Sequence, residues 1–223
     1  MSSMPYCYQY SFQQLAVNTH QLAISLGVKK AIVLGNSMGG MLAVRYALMY
    51  PSDCLQLILE DPIGLEDWKL SVPYSTVDEE YRTNLKMTDS ALKKYMLQNY
   101  FHNEWKKQYD KLLKQSSKNL NDSSFAWSMA QTSDMIFTQP VCYEFSVLKV
   151  PTVLIVGMLD KTAIGKEKAD AKTASALGNY PLLGKKAAAL IPGCKLIELN
   201  GIGHLPHIEN FDLFMQTLSG ILD

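Results

Sequence analysis

Apolar and polar positions change their period several times along the first sixty residues. Over 12–26 the apolar residues recur at helical spacing, and Ser11 stands where a helix N-cap is expected. Residues 31–34 are a short apolar run, which is typical of a strand buried on both faces. A second helix is predicted over 39–50 and a second strand over 55–59. This alternation predicts a parallel sheet covered by helices.

The alternation is interrupted in the middle of the chain. No segment there has the pattern of a buried strand, and helical patterns cover 90–100 and 103–113 instead. The sequence therefore predicts an α/β protein in which residues 1–61 and 146–223 form the core. Residues 62–145 are predicted to form a helical insertion into that core.

The second part of the core repeats the order of strands and helices. Strands are predicted over 153–156 and 196–199, with a helix over 185–191 between them. A last helix follows, and its apolar residues share one face. That face is predicted to consist of Phe211, Phe214, Leu218 and Ile221 or Leu222.

Charge and composition argue against several classes of protein. Lys and Arg number 21, as do Asp and Glu, so no net field attracts nucleic acid or an anionic membrane. No apolar run reaches the roughly 18 residues that a membrane span needs. Residues 1–10 lack the basic and apolar regions of a signal peptide. A small molecule is the expected partner.

The sequence also lacks the common signatures of cofactor and metal binding. It has no glycine-rich phosphate-binding motif and no Cys or His residues at metal-ligand spacing, so neither a cofactor nor a metal is expected. The cysteines lie far apart in a chain that is long enough to bury a core without disulfides. They are expected to be free thiols: Cys7, Cys54, Cys142 and Cys194.

A candidate nucleophile lies directly between a predicted strand and a predicted helix. The sequence Gly35-Asn36-Ser37-Met38-Gly39 there matches G-x-S-x-G. Such a turn strains the backbone of its middle residue, and the flanking glycines are expected to avoid collisions. It would expose the Ser37 hydroxyl above the sheet edge, with the Met38 N–H facing a developing oxyanion. A glycine-rich turn that only packs helix on strand is the alternative interpretation.

A serine nucleophile needs a base, and four histidines compete for that role. His204 follows strand 196–199 on a glycine-flanked loop, where ligands and chemistry gather in open α/β sheets. His207 begins the run into the last helix, whereas His20 lies within a helix and His102 within the insertion. The sequence therefore favours His204.

The acid that orients this base is expected after another strand. Asp160 follows the predicted strand 153–156 by a short turn. Asp61, at the end of an earlier strand, is a rival whose simpler explanation is a turn-initiating Asp-Pro pair. The chain order Ser, Asp, His is that of the hydrolases with a nucleophile elbow and favours Asp160.

Three motifs together resemble the α/β-hydrolase superfamily: GNSMGG at 35–40, GMLD at 157–160 and GHLPHIE at 203–209. The resemblance covers nearly the whole chain and implies a Ser-His-Asp triad from these motifs and a cap domain at 62–145. Within the superfamily the chain is similar to a bacterial group of capped esterases. Its elbow also resembles that of meta-cleavage-product hydrolases, which cut carbon–carbon bonds, because Asn36 stands where many esterases have His.

One part of the superfamily's pattern is missing. Its sheet normally has further strands before the first helix seen here, and their turn carries an H-G motif that supplies a second oxyanion donor. This sequence has no His-Gly dipeptide. We therefore expect an N-terminally truncated member, in which the strand at 31–34 leaves an apolar edge open to self-association. Its compartment stays open: cytoplasmic as written, unless a lost N-terminal segment carried a signal peptide.

The insertion is expected to lie over Ser37 and to shape a pocket for an apolar acyl or aryl group. Its aromatic and methionine residues are candidates for the pocket lining, although for any single one the favoured interpretation is packing in the insertion's own core. They are Tyr81, Tyr95, Tyr100, Trp105, Tyr109, Trp127, Met129 and Met135. The Lys-rich stretch 106–118 is expected to be a solvated helix face.

The expected function is hydrolysis of an ester-like bond in a small apolar or aryl substrate, by way of an acyl-enzyme on Ser37. Carbon–carbon bond hydrolysis by the same residues is a second hypothesis. The third is a catalytically incomplete chain that only binds, since loss of one oxyanion donor costs roughly 2.7–4 kcal/mol in related enzymes.

Overall fold

Four parallel strands form the sheet in this computed structural model, which describes residues 7–222. Their spatial order follows the chain: β1 (Ala31–Ser37), β2 (Cys54–Pro62), β3 (Thr152–Gly157) and β4 (Lys195–Leu199). Because every pair is parallel, the carboxyl ends of all four strands lie at the same edge of the sheet. The predicted α/β class is confirmed, and each observed strand is longer than the predicted one.

Helices connect the strands and fill the long segment between β2 and β3. The α-helices of the described residues are α1 (Phe12–Ser25), α2 (Met38–Met49), α3 (Val77–Leu85), α4 (Asp89–Asn99), α5 (Asp110–Ser116), α6 (Ser123–Thr138), α7 (Ala171–Ala176), α8 (Tyr180–Leu190), α9 (Pro206–Glu209) and α10 (Phe211–Leu222). Short 3-10 turns lie at Trp68–Leu70, Lys107–Tyr109, Cys142–Val147 and Lys166–Lys168. Between β2 and β3, the described chain forms helices and turns but no strand.

Apolar side chains cover both faces of the sheet at its centre. One face packs against α1, α2 and α8 through Leu57, Leu59, Leu154 and Val156. The other face packs against α10 through Ile58, Val153 and Ile155. All six residues of β3 are buried, which is the burial expected for a central strand of a parallel sheet between helix layers.

The first strand differs from this pattern. Among the described residues β1 pairs only with β2, so it is an edge strand. Ile32 and Leu34 are 43% and 41% exposed. The prediction that 31–34 is buried on both faces is therefore wrong for β1. On the face covered by α10, that helix packs over β2 and β3 at the centre of the sheet and leaves β1 uncovered.

Two predicted helical features are placed differently in the structure. The helix expected over 103–113 begins later, because His102 and Asn103 adopt positive φ angles of 40° and 69° that are incompatible with a right-handed helix. In α10, Phe211 is 60% exposed and lies outside the predicted apolar face, whereas Phe214 is buried as predicted. Around it, Leu213, Leu218 and Ile221 pack partly buried against the sheet.

The expectations for the lysines of 106–118 and for the cysteines are met. The lysines of the 106–118 stretch are exposed, and the four cysteines are free thiols. No helix in the described part of the chain is long and apolar enough to cross a membrane. The expected lack of a signal peptide was based on residues 1–10, and the first six of these lie outside the described residues.

Candidate active site

Ser37 lies at the junction of β1 and α2 with a strained backbone. Its φ of 54° and ψ of −124° fall outside the regions that most L-residues adopt, as a nucleophile elbow requires. A Cβ on Gly35 would lie 2.2 Å from the Gly39 carbonyl oxygen, and one on Gly40 would lie 2.4 Å from Pro62 Cβ. A Cβ on Gly39 would meet no atom of residues 7–222 within 4 Å. The expected steric need for glycine is therefore correct at Gly35 and wrong at Gly39.

The structure brings the three predicted side chains together in one hydrogen-bonded chain. His204 Nε2 lies 2.9 Å from Ser37 Oγ, and His204 Nδ1 lies 2.6 Å from Asp160 Oδ2. His204 and Asp160 are fully buried. With Nδ1 protonated and donating to the carboxylate, Nε2 is left as an acceptor for the serine proton.

The loops that carry Asp160 and His204 are packed backbone to backbone. A Cβ on Gly157 would lie 2.0 Å from the carbonyl oxygen of Gly203. The Leu159 N–H donates to the Ile202 carbonyl at 2.8 Å. The second carboxylate oxygen of Asp160 accepts from the Thr162 N–H, also at 2.8 Å. These contacts fix the acid relative to the imidazole before any substrate arrives.

The segment between β2 and β3 reaches the site through Tyr100. Its ring stacks on the imidazole of His204, with centroids 4.7 Å apart and planes inclined by 28°. Its carbonyl oxygen accepts the His204 N–H at 3.0 Å. Sequence reasoning placed Tyr100 in the insertion as a pocket candidate but gave no signal for its contact with the histidine.

Asn36 links the nucleophile turn to the histidine loop. Its Nδ2 donates to the carbonyl oxygens of Glu60, at 3.1 Å, and of His204, at 3.3 Å. The residue before the nucleophile therefore makes two hydrogen bonds to backbone carbonyls of neighbouring segments.

The rival acid Asp61 lies in the same region but makes different contacts. It is fully buried, its φ is 38°, and its Oδ1 accepts the Gly157 N–H at 2.7 Å. Its Oδ2 has no hydrogen-bond partner among residues 7–222. Burial, and next the nearby charge of Asp160, raise the pKa of Asp61 well above 3.8. The structure thus places Asp160, and not Asp61, against His204.

The other histidines have partners elsewhere. His207 Nδ1 lies 2.7 Å from Glu60 Oε1, and His20 stacks on Tyr50 with centroids 3.8 Å apart. His102 Nε2 lies 3.5 Å from a carboxylate oxygen of Glu209. None of these three contacts involves Ser37. Within the described residues, no group of His, Cys, Asp or Glu is arranged to hold a metal ion.

A cavity of about 430 Å³ opens beside Ser37 and His204. Its remaining lining is apolar or uncharged: Asn36, Asn84, Met87, Leu92, Met96, Tyr100, Leu112, Ser116, Leu120, Phe125, Ala126, Met129 and Leu205. Most of these residues come from the segment between β2 and β3.

Only two of the eight candidate lining residues, Tyr100 and Met129, reach this cavity. Tyr109 stacks on Phe101 at 3.8 Å in a separate core, and Met135 belongs to the main core. For these two the alternative expectation, packing, is the correct one. Aliphatic and methionine side chains form most of the lining.

The start of α2 supplies one candidate oxyanion donor. Met38 is the first residue of this helix, so its N–H is one of the four that find no acceptor within a helix. The positive end of the helix dipole lies at the same place and favours negative charge there.

Residues 2–177 match the model of the Ndr family. The chain belongs to this family. A crystal structure of a probable hydrolytic enzyme from Pseudomonas aeruginosa is 47% identical, with a TM-score of 0.96, and the match covers 98% of this chain and 72% of that one. An esterase from Exiguobacterium antarcticum shares the fold at 19% identity, with a TM-score of 0.69 over 96% of this chain and 74% of its own.

Among curated proteins, Lipase 1 of Psychrobacter immobilis is 27% identical over 95% of this chain. The chain spans 62% of the length of that lipase. Together these relatives confirm the α/β-hydrolase fold and the resemblance inferred from the three motifs, and they place the chain among the α/β hydrolases.

Proposed function

We propose that this chain carries the active site of a serine esterase that cleaves uncharged carboxylic esters with an apolar acyl group. The observation that carries the proposal is the unbroken hydrogen-bonded chain from Ser37 through His204 to Asp160, which faces an apolar cavity. Hydrolases, esterases and lipases among the relatives support the same reaction class.

The geometry supports two-step acyl transfer. His204 Nε2 accepts the Ser37 proton as Oγ bonds to the ester carbonyl carbon, and the Met38 N–H stabilises the oxyanion. The imidazolium, held by Asp160, returns the proton to the leaving alkoxide as the ester C–O bond breaks. His204 then takes a proton from water as the hydroxide adds to the carbonyl carbon of acyl-Ser37. The bond between that carbon and Oγ breaks, the imidazolium returns the proton to Oγ, and the carboxylic acid leaves.

The uncharged lining of the cavity favours esters over the diketo acids of the carbon–carbon hydrolases. No Lys, Arg, Asp or Glu among residues 7–222 lines it, so an anionic substrate group buried there would lack a charged side chain as counter-ion. If each non-hydrogen atom takes roughly the 30 Å³ share of a liquid water, about 430 Å³ holds on the order of 14 atoms. This volume fits an acyl chain of medium length.

In this proposal residues 62–145 act as the cap. They supply Met87, from the turn between α3 and α4, and Met96 and Met129, from α4 and α6, to the cavity. Methionine side chains adapt to apolar groups of different shapes. Self-association through the open edge of β1 also stays a proposal; sedimentation velocity of the purified chain at several concentrations tests it.

A fluorophosphonate probe tests the enzyme proposal. It should label Ser37 in the wild-type chain and fail to label Ser37→Ala. The matched control is Ser116→Ala, which removes another serine of the cavity lining that has no bond to His204. Wild-type protein that is folded but unlabelled would support the binding-only hypothesis and overturn ours.

Substrate preference is tested with p-nitrophenyl butyrate, octanoate and hexadecanoate beside a vinylogous diketo acid. We expect the highest kcat/KM for octanoate. A clear preference for the diketo acid would favour the carbon–carbon hydrolase instead.

A further inference from the structure

A buried carboxylate next to His204 has no part in the proposed chemistry. Glu209 ends the short helix α9 and is 8% exposed. Its Oε1 accepts the N–H of Gly203 at 3.0 Å and the N–H of Leu205 at 3.2 Å. Its Oε2 also accepts from Gly203, at 3.1 Å. The two N–H groups that flank His204 in sequence therefore point at one side chain.

The backbone N–H of His204 itself bonds to the insertion and not to Glu209. His204 N–H donates to the Tyr100 carbonyl oxygen at 3.0 Å. A Cβ on Gly203 would lie 2.1 Å from that same oxygen and 3.0 Å from Glu209 Oε1. The backbone at 203–205 thus lies between the insertion and the carboxylate, with three consecutive N–H groups bonded and no room for a side chain on Gly203.

The insertion also contacts Glu209 itself. His102 Nε2 lies 3.5 Å from Glu209 Oε2, and Gln108 Nε2 donates to the Ile208 carbonyl at 2.9 Å. Burial raises the pKa of Glu209, while the N–H groups of Gly203 and Leu205 oppose that rise. The insertion therefore contacts the Glu209 side chain through His102 and the backbone of α9 through Gln108.

We propose that Glu209 is a positioning residue for His204: its carboxylate fixes the peptides on both sides so that Nε2 faces Ser37 Oγ. The inference rests on the proposed function, in which His204 is the base. A carboxylate suits this role because one oxygen can accept two N–H groups in a fixed arrangement. Loss of that arrangement moves the imidazole rather than the substrate, so it acts on kcat.

Steady-state kinetics of three variants test the proposal. Glu209→Ala should lower kcat by about 10- to 100-fold with KM unchanged, as expected for a misplaced catalytic group. Glu209→Gln should restore most of kcat, since its amide oxygen can accept the two N–H groups that Oε1 accepts. The matched control is Glu60→Ala, which removes a carboxylate that is also buried and that bonds to His207 in the same short helix. It should keep the wild-type kcat.

Titration with the fluorophosphonate probe to its endpoint separates positioning from misfolding. A folding defect lowers the fraction of titratable sites, whereas a positioning defect lowers kcat per titrated site. If Glu209→Ala does not fold, Glu209→Gln and Glu209→Asp carry the test, and the shorter Asp should be the slower of the two. A wild-type kcat per titrated site in Glu209→Ala would overturn the positioning proposal, and so would equal rates for Glu209→Gln and Glu209→Asp. Neither result affects the esterase proposal, provided that the probe labels Ser37. Absence of wild-type labelling at Ser37 refutes the esterase proposal.

Discussion

The two glycines that frame the nucleophile turn should respond in opposite ways to alanine. In Gly35→Ala the added methyl group would lie 2.2 Å from the Gly39 oxygen, 2.5 Å from its carbonyl carbon and 2.8 Å from the Gly40 nitrogen. All three atoms are backbone of the first turn of α2, so no flexible side chain can move aside. In Gly39→Ala the methyl group meets no atom of the described residues within 4 Å.

The magnitudes follow from these distances. Overpacking costs typically about 1–3 kcal/mol, and a collision with backbone places Gly35→Ala at the top of that range. Gly39 lies in α2, where replacing glycine by alanine gains roughly 0.5–1 kcal/mol in the helix. The two variants should therefore differ by about 4 kcal/mol in unfolding free energy, or very roughly 8–16 °C in Tm for a chain of this size.

Urea unfolding followed by circular dichroism measures this difference. The slope of free energy against urea should be the same for both variants and the wild type, so that the midpoints report stability alone. Gly35→Ala as stable as the wild type, or Gly39→Ala less stable than the wild type, would refute the steric argument.

Three other predictions concern buried ionisable groups. Asp160→Asn should leave the fold intact and lower kcat for p-nitrophenyl octanoate by about 10⁴-fold, because an amide favours the wrong imidazole tautomer; a loss below tenfold would contradict this role. The pKa of Asp61 is raised in the folded state, so between pH 3.8 and that raised pKa the folded state holds a proton that the unfolded state has lost. The unfolding free energy of the wild-type protein should therefore fall as pH rises through this range. Asp61→Asn should remove the part of this pH dependence that Asp61 causes. If the urea midpoints of wild type and variant changed equally with pH, Asp61 would not be its source. Partial or full burial raises the pKa of Cys54 and Cys194 to about 11, so both thiols should react slowly with Ellman's reagent near neutral pH, in contrast to the exposed Cys7; reaction of Cys54 and Cys194 as fast as that of Cys7 in the folded protein would contradict this.

The side chains of the candidate site could be found from the sequence because each follows a strand. Ser37 is the last residue of β1, and Asp160 and His204 lie on the turns that follow β3 and β4. Parallel strands bring their carboxyl ends to one edge of the sheet. Short-range patterns were sufficient to locate the strands and the glycine-bounded turns. The meeting of the three residues then follows from the topology.

Features that depend on tertiary contact could not be found in this way. The exposure of Ile32 depends on which strands and helices lie beside β1, and no local pattern contains that information. The helix predicted over 103–113 begins late because His102 and Asn103 adopt positive φ angles, which are uncommon in residues other than glycine. The contacts of Glu209 with Gly203 and of Tyr100 with His204 join groups whose pairing has no local signature.

The long sequence separation between the serine and its base has a consequence during synthesis. Ser37 and His204 are 167 residues apart. At a ribosomal rate of roughly 5–20 residues per second, the serine is made about 10–30 s before the imidazole that activates it. In the proposed mechanism the Ser37 hydroxyl of a nascent chain therefore stays inert for that whole interval, and hydrolytic competence arrives only after all four described strands have been synthesised.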